Sequence, residues 1–406
     1  MNVIFISPQF PSNYWNFCDR LRRNGVNVLG IGDAPYDGLS QQLKNALTEY
    51  YRVGSMEDYD QMLRAVAFFT FKYGKIDWIE SNNEYWLGQD ARLRTDFHVT
   101  TGVNADEIAR FRRKSEMKAC YAAGNIPSAR CHLIPLPAEG EVLAKEKAEA
   151  AAFLKKVGYP VIVKPDIGVG ACDTWKLKND EEFDAFFAAY HPVDYVMEEF
   201  VTGDIRSYDA ICDSHGEPLF ESMTMWPPSI MDIVNEKLDL AYYVAAEMPE
   251  ELRKLGRAAL KSFGVKSRFV HLEFFQLTKA KKGLGKVGDF VGLEVNMRPA
   301  GANTPDMMNY AHSLDVYQIW ADMVTADRRL FPEPGQDHFC VYAGRRDIYS
   351  YVHTHEEIFA KYGHEIVMCE RLPEMSVPQM GNQMYMAHAA DEAAAKEFIE
   401  FVQARS

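Results

Sequence analysis

The chain is short of basic residues relative to its acids. Among 406 residues, Lys plus Arg total 44 and Asp plus Glu 58, a formal net charge of −14. So acidic a chain is a poor general binder of polyanions, which argues against nucleic acid as a partner. No apolar run is long enough to span a bilayer, so no membrane role is expected. There is no Cys-x-x-Cys pair. The seven cysteines (18, 120, 131, 172, 212, 340, 369) are odd in number and scattered, so a reducing, cytoplasmic compartment is expected. A Gly-x-x-x-x-Gly-Lys-Ser/Thr loop is missing, which removes the main rival phosphate-binding architecture. Gly30-Ile-Gly32 lacks the third glycine of a dinucleotide fingerprint, so NAD is not indicated. The first residues, Met1 to Pro8, have neither a basic flank nor a cleavage site and read as a strand, not a signal peptide.

That strand begins a regular alternation. Asn13 to Asn24 has helical periodicity and closes at Gly25, and Val26-Asn-Val-Leu-Gly-Ile31 is the next strand. A helix near Tyr59 to Tyr73 and a strand at Ile76 to Ile79 follow. Alternating strands and helices imply a parallel sheet. The last of these strands runs into a polar cluster, Glu80-Ser-Asn-Asn-Glu84, at the edge where open α/β sheets bind ligands.

The richest stretch lies far downstream. Gly288-Asp-Phe-Val-Gly-Leu-Glu294-Val-Asn296-Met-Arg298-Pro299 reads as a strand whose side chains alternate between faces. Val291, Leu293, Val295 and Met297 then point into a core. Glu294, Asn296 and, if the strand persists, Arg298 point the other way. Oxygen ligands suit a hard divalent ion, and a guanidinium matches phosphate and carboxylate. A solvated edge strand would show the same pattern. Upstream, Arg268-Phe-Val-His271-Leu-Glu273-Phe-Phe-Gln276 reads as a second strand with His271 and Glu273 on one face. A Lys/Gly-rich connection, Thr278 to Gly288, would pair the two strands and bring Glu273 near Glu294. Two such carboxylates repel unless a cation lies between them, so Mg²⁺ or Mn²⁺ is expected and zinc is not.

Basic residues and glycines come earlier. Arg112-Arg113-Lys114 opens an amphipathic helix that ends at Gly124. Gly158-Tyr-Pro-Val-Ile-Val-Lys164 is a short strand stopped by Pro165, and Gly168 and Gly170 follow in a loop where backbone amides can approach an anion. Tyr195-Val-Met-Glu198-Glu199-Phe200-Val201 is a further strand before Gly203. Each piece alone is ordinary; their order is not.

From about Arg110 to Val324 this order resembles the ATP-grasp superfamily, closest in style to its biotin-carboxylase-like and amino-acid-ligase branches. The resemblance implies an α/β fold: a Rossmann-like domain at 1–104, the first helix and lid half of the grasp at 105–201, a metal-binding half at 202–330, and a small strand-rich C-terminal subdomain at 331–406. It implies ATP with one or two Mg²⁺ ions, Mn²⁺ substituting. Lys114 would reach the nucleotide phosphates, and Lys164 the α- and β-phosphates. Gly168 and Gly170 would lie in the lid over the triphosphate. Glu198, beside Glu199, would face the adenine amino group, with the Phe200–Val201 backbone bonding the ring. Glu273, Glu294 and Asn296 would hold the metal, and Arg298 would stabilise an acyl-phosphate. Two departures stand out. Ile205 occupies the place of an acid for the ribose, so Asp204 or Asp209 would substitute or the ribose be held otherwise, and the lid lacks a serine run, which would leave more of the phosphate contact to backbone amides.

The activity so implied is an ADP-forming carboxylate–amine ligase, its substrates an amino acid or small peptide, its form a homodimer. The alternatives are a synthetase or carboxylase acting on bicarbonate, formate or a purine precursor, and a nucleotide-binding regulator without turnover. Beyond the linker Phe331-Pro-Glu-Pro-Gly335, Val341 to Arg346 reads as a strand. His353 and His355 would share a face if their segment is a strand, without a third zinc ligand. A helix from Ala390 to Ala404 ends the chain.

Overall fold

The computed structural model describes residues 1–136, 139–168, 173–226, 237–331 and 335–406. Gly170 and Cys172 lie outside them, as do Pro332 to Pro334 of the expected linker. Three sheets organise the chain among the described residues. The first is parallel: β1 (Asn2–Ile6), β2 (Asn27–Gly32), β3 (Glu49–Arg52) and β4 (Trp78–Glu80), in the order β3-β2-β1-β4. The central strands β1 and β2 are apolar on both faces, alternate residues joining different cores. The helices Trp15–Arg23 and Tyr59–Tyr73 match the expected periodic segments.

The second sheet, in the order β5-β8-β6-β7, contains β5 (Cys131–Ile134), β6 (Val161–Pro165), β7 (Trp175–Leu177) and β8 (Tyr195–Glu199). The helices Gly140–Val157 and Asp180–Ala189 close its core, in which Leu154, Phe183, Phe186 and Met197 meet.

The third sheet is the largest. It joins β9 (Gly203–Cys212), β10 (Pro218–Ser222), β11 (Thr224–Trp226), β12 (Ala241–Val244), β13 (Arg268–Leu277), β14 (Phe290–Asn296), β15 (Phe339–Arg345), β16 (Ile366–Arg371) and β17 (Gln383–Ala389). The C-terminal strands therefore extend the sheet that carries the acids, through the antiparallel pairing of β12 with β15. One face packs on the helices Thr304–His312 and Val316–Ala326, the other on Glu250–Phe263 and Glu392–Gln403. His355 is not on a strand. It opens the helix His355–Tyr362, whose capping box is formed by Thr354 and Glu357.

The strand alternation expected for β14 holds only in part. Glu273 pairs with Glu294, but the next paired residues are Phe274 and Gly292, so Leu293 is an unpaired bulge. Val295 and Met297 join the large core on one face, whereas Val291 belongs to a separate small cluster with Val201, Leu277 and Leu284. The inserted residue resets the inward and outward sense of the strand.

The helix Lys114–Ala123 seats directly on β14 because position 292 has no side chain. A Cβ on Gly292 would lie 2.7 Å from the ring of Tyr121, which is fully buried. Overpacking of this kind is costly in a dense interior. Gly292→Ala is expected to lower stability by about 1–3 kcal/mol, read as a reduced urea midpoint. An unchanged midpoint would show that the helix shifts freely over the strand.

Candidate active site

Asp166 ties the second sheet to the helix Lys114–Ala123. Its Oδ1 accepts from the Ser115 amide at 2.8 Å, its carbonyl from the Lys114 amide at 2.9 Å, and its Oδ2 from Arg113 at 3.0 Å. A buried carboxylate at a helix N-terminus satisfies free amides and complements the helix dipole. This capping brings Lys114, on the helix, and Lys164, on β6, into one cleft. Sequence reading assigned no role to Asp166. A single acid following Pro165 carries no local sign that it caps a helix some fifty positions earlier in the chain.

The acids and lysines of the cleft neutralise one another. Glu198 forms ion pairs through one oxygen with Lys164 at 2.9 Å and through the other with Lys118, also at 2.9 Å. Burial by itself would raise the Glu198 carboxyl, but the two ammonium groups outweigh it and bring it down to about 2. Lys164 is correspondingly raised: Glu198, Glu294 and Glu273 more than offset its burial. Lys118 is a site residue the sequence reading passed over, although it lies one helical turn from Lys114 on the same face. Glu199, beside Glu198, turns elsewhere. Arg130 holds it bidentately at 3.0 and 2.6 Å, with Lys281 at 3.3 Å. Lys281 also donates to the Phe200 carbonyl at 2.5 Å. The Phe200–Val201 segment is thus anchored from the β13–β14 connection.

The antiparallel register sets Glu273 opposite Glu294, and His271 opposite Asn296. Each carboxylate has a cation at hand. Lys114 approaches Glu294 at 3.2 Å and donates to the Gly168 carbonyl at 3.0 Å. His271 reaches Glu273 at 3.2 Å through Nε2 and Asp209 at 2.6 Å through Nδ1. Asp209 is itself fully buried and accepts from Ser207 at 2.5 Å and Thr224 at 3.2 Å. Burial would lower the imidazole, yet Asp209 and Glu273 raise it to about 9. Glu273 is lowered despite its burial, through His271, Arg298 and Lys164. A buried Asp–His pair steering a potential metal ligand is a familiar supporting arrangement.

Arg298 lies just beyond β14, which ends at Asn296. Its Nη2 is 3.4 Å from the Asn296 Oδ1, and its Nε is 3.7 Å from Glu84 Oε2 in the parallel domain. Burial pushes the Glu84 carboxyl up to about 7, against the pull of Arg298. The polar cluster at the end of β4 therefore reaches the end of β14 through Glu84 and Arg298.

The set fits a hard divalent ion. Glu273 and Glu294 are cross-strand neighbours, and Asn296 follows on the same strand. Among the described residues no cluster of three or more His, Cys, Asp or Glu side chains forms a metal site by itself. The donors such an ion would meet are two carboxylates and an amide oxygen, the chemistry magnesium takes with substrate oxygens and water.

Nothing in a scan of family models matches this sequence, and no curated protein is significantly similar to it. Its fold does match solved structures. The L-amino acid ligase of Bacillus licheniformis aligns over 98% of this chain and 96% of its own, with TM-score 0.71 and 13% identity. Phosphoribosylglycinamide synthetase of Anaerococcus prevotii gives 0.65 at 12% identity over 99% and 98%. The biotin carboxylase domain of Hydrogenobacter thermophilus 2-oxoglutarate carboxylase, solved with the magnesium salt of ADP and bicarbonate, gives 0.67 at 14% over 100% and 90%.

The chain has the ATP-grasp fold. A parallel-sheet N-terminal domain followed by antiparallel sheets matches that fold, while the strands expected of a separate C-terminal subdomain belong to the third sheet. The lysines and acids described above converge between the second and third sheets of this chain.

Glu198 carries a pH-dependent share of stability. Its folded-state value, about 2, lies below the ordinary 4.5, so its contribution is complete above about pH 4.5 and is lost as pH falls toward 2. Glu198→Gln leaves two mostly buried lysines, Lys118 and Lys164, without their carboxylate and is expected to cost about 3–5 kcal/mol at pH 7. Urea unfolding at pH 7 and pH 3 should show the gap between variant and parent narrowing in acid. A gap independent of pH would mean the three charges do not form one unit.

Proposed function

We propose that this protein is an ATP- and Mg²⁺-dependent ligase that activates a carboxylate as an acyl-phosphate and joins it to an amine, releasing ADP and phosphate. The observation that carries the reading is the convergence of Glu273, Glu294, Asn296 and Arg298 on one side of the cleft with Lys114 and Lys164 on the other. Phosphoryl transfer asks a protein for positioning and charge neutralisation, and needs no nucleophilic side chain. Magnesium, when bound, would neutralise the phosphate oxygens between the two strands.

Lys114, Lys118 and Lys164 would exchange their carboxylate partners for phosphate oxygens as nucleotide enters. The Phe200–Val201 backbone, held by Lys281, would meet the adenine edge, with Glu198 and Glu199 beneath it. In this structure both Glu198 oxygens face lysines, so its role in the reading shifts toward setting those lysines in place. Gly168 would place its amide near the triphosphate. Arg298 would meet the acyl-phosphate. Glu84, held near neutrality beside Arg298, suits taking the proton that the attacking amine must lose.

The substrates we favour are amino acids or a small peptide, in line with the amino acid ligase among the fold neighbours. Bicarbonate as the activated carboxylate is the second reading, supported by the neighbour solved with that anion. Division of the chain at about 104, 201 and 330, a homodimeric state and a cytoplasmic setting belong to the same proposal. Among the described residues no helix is long and apolar enough to cross a membrane.

ADP and phosphate release from ATP and Mg²⁺ should rise with pooled amino acids and respond separately to bicarbonate. Glu294→Ala or Lys164→Ala should reduce it by about a hundred- to a thousandfold. Arg298→Ala should slow acyl-phosphate formation by a similar factor while leaving the ATP Kd within about twofold. Full turnover in Glu294→Ala would remove the assignment of that acid, and a weakened ATP Kd with an unchanged rate would remove that of Arg298.

A further inference from the structure

Arg268 begins β13 and is 1% exposed, yet it belongs to no part of the cleft described above. Its guanidinium makes two contacts. One nitrogen pairs with the Glu80 carboxylate, at the end of β4 and also 1% exposed. Nε donates to the carbonyl of Met297 at 2.8 Å. That carbonyl lies one residue past β14, where the strand ladder can no longer satisfy it. The next residue is Arg298.

Glu80 is held just as firmly. Its second oxygen accepts from the amides of Ser81 at 3.0 Å and Asn82 at 3.1 Å. Arg94, fully buried, stands 4.0 Å from the first oxygen and bonds the carbonyls of Ile79 and Val103. Asp90 accepts from Ser81, at 3.1 Å from its amide and 2.5 Å from its hydroxyl. A short loop therefore grips the end of β14 at two points. Glu80 reaches the Met297 carbonyl through Arg268, and Glu84 reaches Arg298 directly.

We propose that Arg268 and Glu80 are positioning residues that fix Arg298 relative to the loop after β4, so that the parallel domain and the metal-side sheet present their groups at one set distance. This rests on the ligase reading for its kinetic consequence, and on geometry alone for its structural one. A planar, five-donor guanidinium can serve a carboxylate and a carbonyl together, whereas a lysine ammonium is a single point donor. Displacements of about an ångström between reacting groups can cost about a hundredfold in rate.

The test uses the full chain with R268K and R268M. R268K keeps the charge beside Glu80 but leaves the Met297 carbonyl without its donor. The expected result is a thermal midpoint close to the parent's, an ATP KM within about twofold, and a carboxylate-dependent kcat lower by about a hundredfold. In the R268K crystal structure, Arg298 should have left its place beside Glu84. Recovery of both midpoint and kcat in R268K would overturn the proposal, as would an Arg298 still about 4 Å from Glu84. Failure of R268K to fold would overturn it too, assigning the pair to folding alone, whereas failure of R268M alone would leave R268K as the deciding variant. A parent enzyme without substrate-stimulated ADP release would count against the ligase reading only. The crystal structure of R268K would then decide the positioning claim by itself.

Discussion

Two carboxylates facing each other across a strand pair repel, and the rest of the site is arranged around that repulsion. The register of β13 and β14 sets Glu273 directly opposite Glu294. Cations come to them from different directions. Lys114 arrives from a helix capped by Asp166, and His271 from the same strand, backed by a buried Asp209. In a low-dielectric cleft these pairs are worth keeping only while each charge has a partner, because an unpaired buried charge is far more costly than an exposed one. The site is thus already electrically balanced before any ligand enters. On the ligase reading, nucleotide and metal would replace one set of partners by another.

The strands that carry the acids were readable because their chemistry is local. Alternation along Arg268–Gln276 put His271 and Glu273 together, and the Lys/Gly-rich connection suggested the hairpin; both follow from a period of two residues. Lys164 was readable because a proline stops its strand at the right place. The bulge at Leu293 was not, because an unpaired residue shows only when the partner strand is known. It is also why Val291 and Val295, expected on one face, are in different clusters. His353 and His355 misled for a related reason. Thr354 followed by Glu357 is a helix-start signal that was available and outweighs any strand periodicity there.

Partners that are distant in sequence left no trace in it. Glu80 and Arg268 are 188 positions apart, and nothing around either residue announces the other. Asp209, a candidate with Asp204 for the ribose in place of Ile205, is instead fully buried and bonded to the Nδ1 of His271. Glu84 was visible as part of a polar cluster, but its approach to Arg298 depends on how the parallel domain docks on the third sheet. Pattern reading recovers groups that share an element. Groups that meet only across elements require the fold itself.

The global charge and the local charge oppose each other, and that opposition is informative. With a net charge of −14, the chain as a whole repels a nucleotide triphosphate. Its field is screened over about 8 Å at physiological ionic strength, and a cleft is governed by what lines it. Here Lys114, Lys118, Lys164 and Arg298 are concentrated within one cleft, and each lies against an acid: Glu294, Glu198 or Glu84. A surface that merely bound anions would have no use for Glu273 and Glu294 beside those cations, since each acid weakens anion binding. Acids kept among lysines make sense where a divalent ion must enter with the anion and where charge must move between bonds during reaction. That asymmetry supports the proposed reading of the cleft as a place where a metal and a phosphate anion are held together.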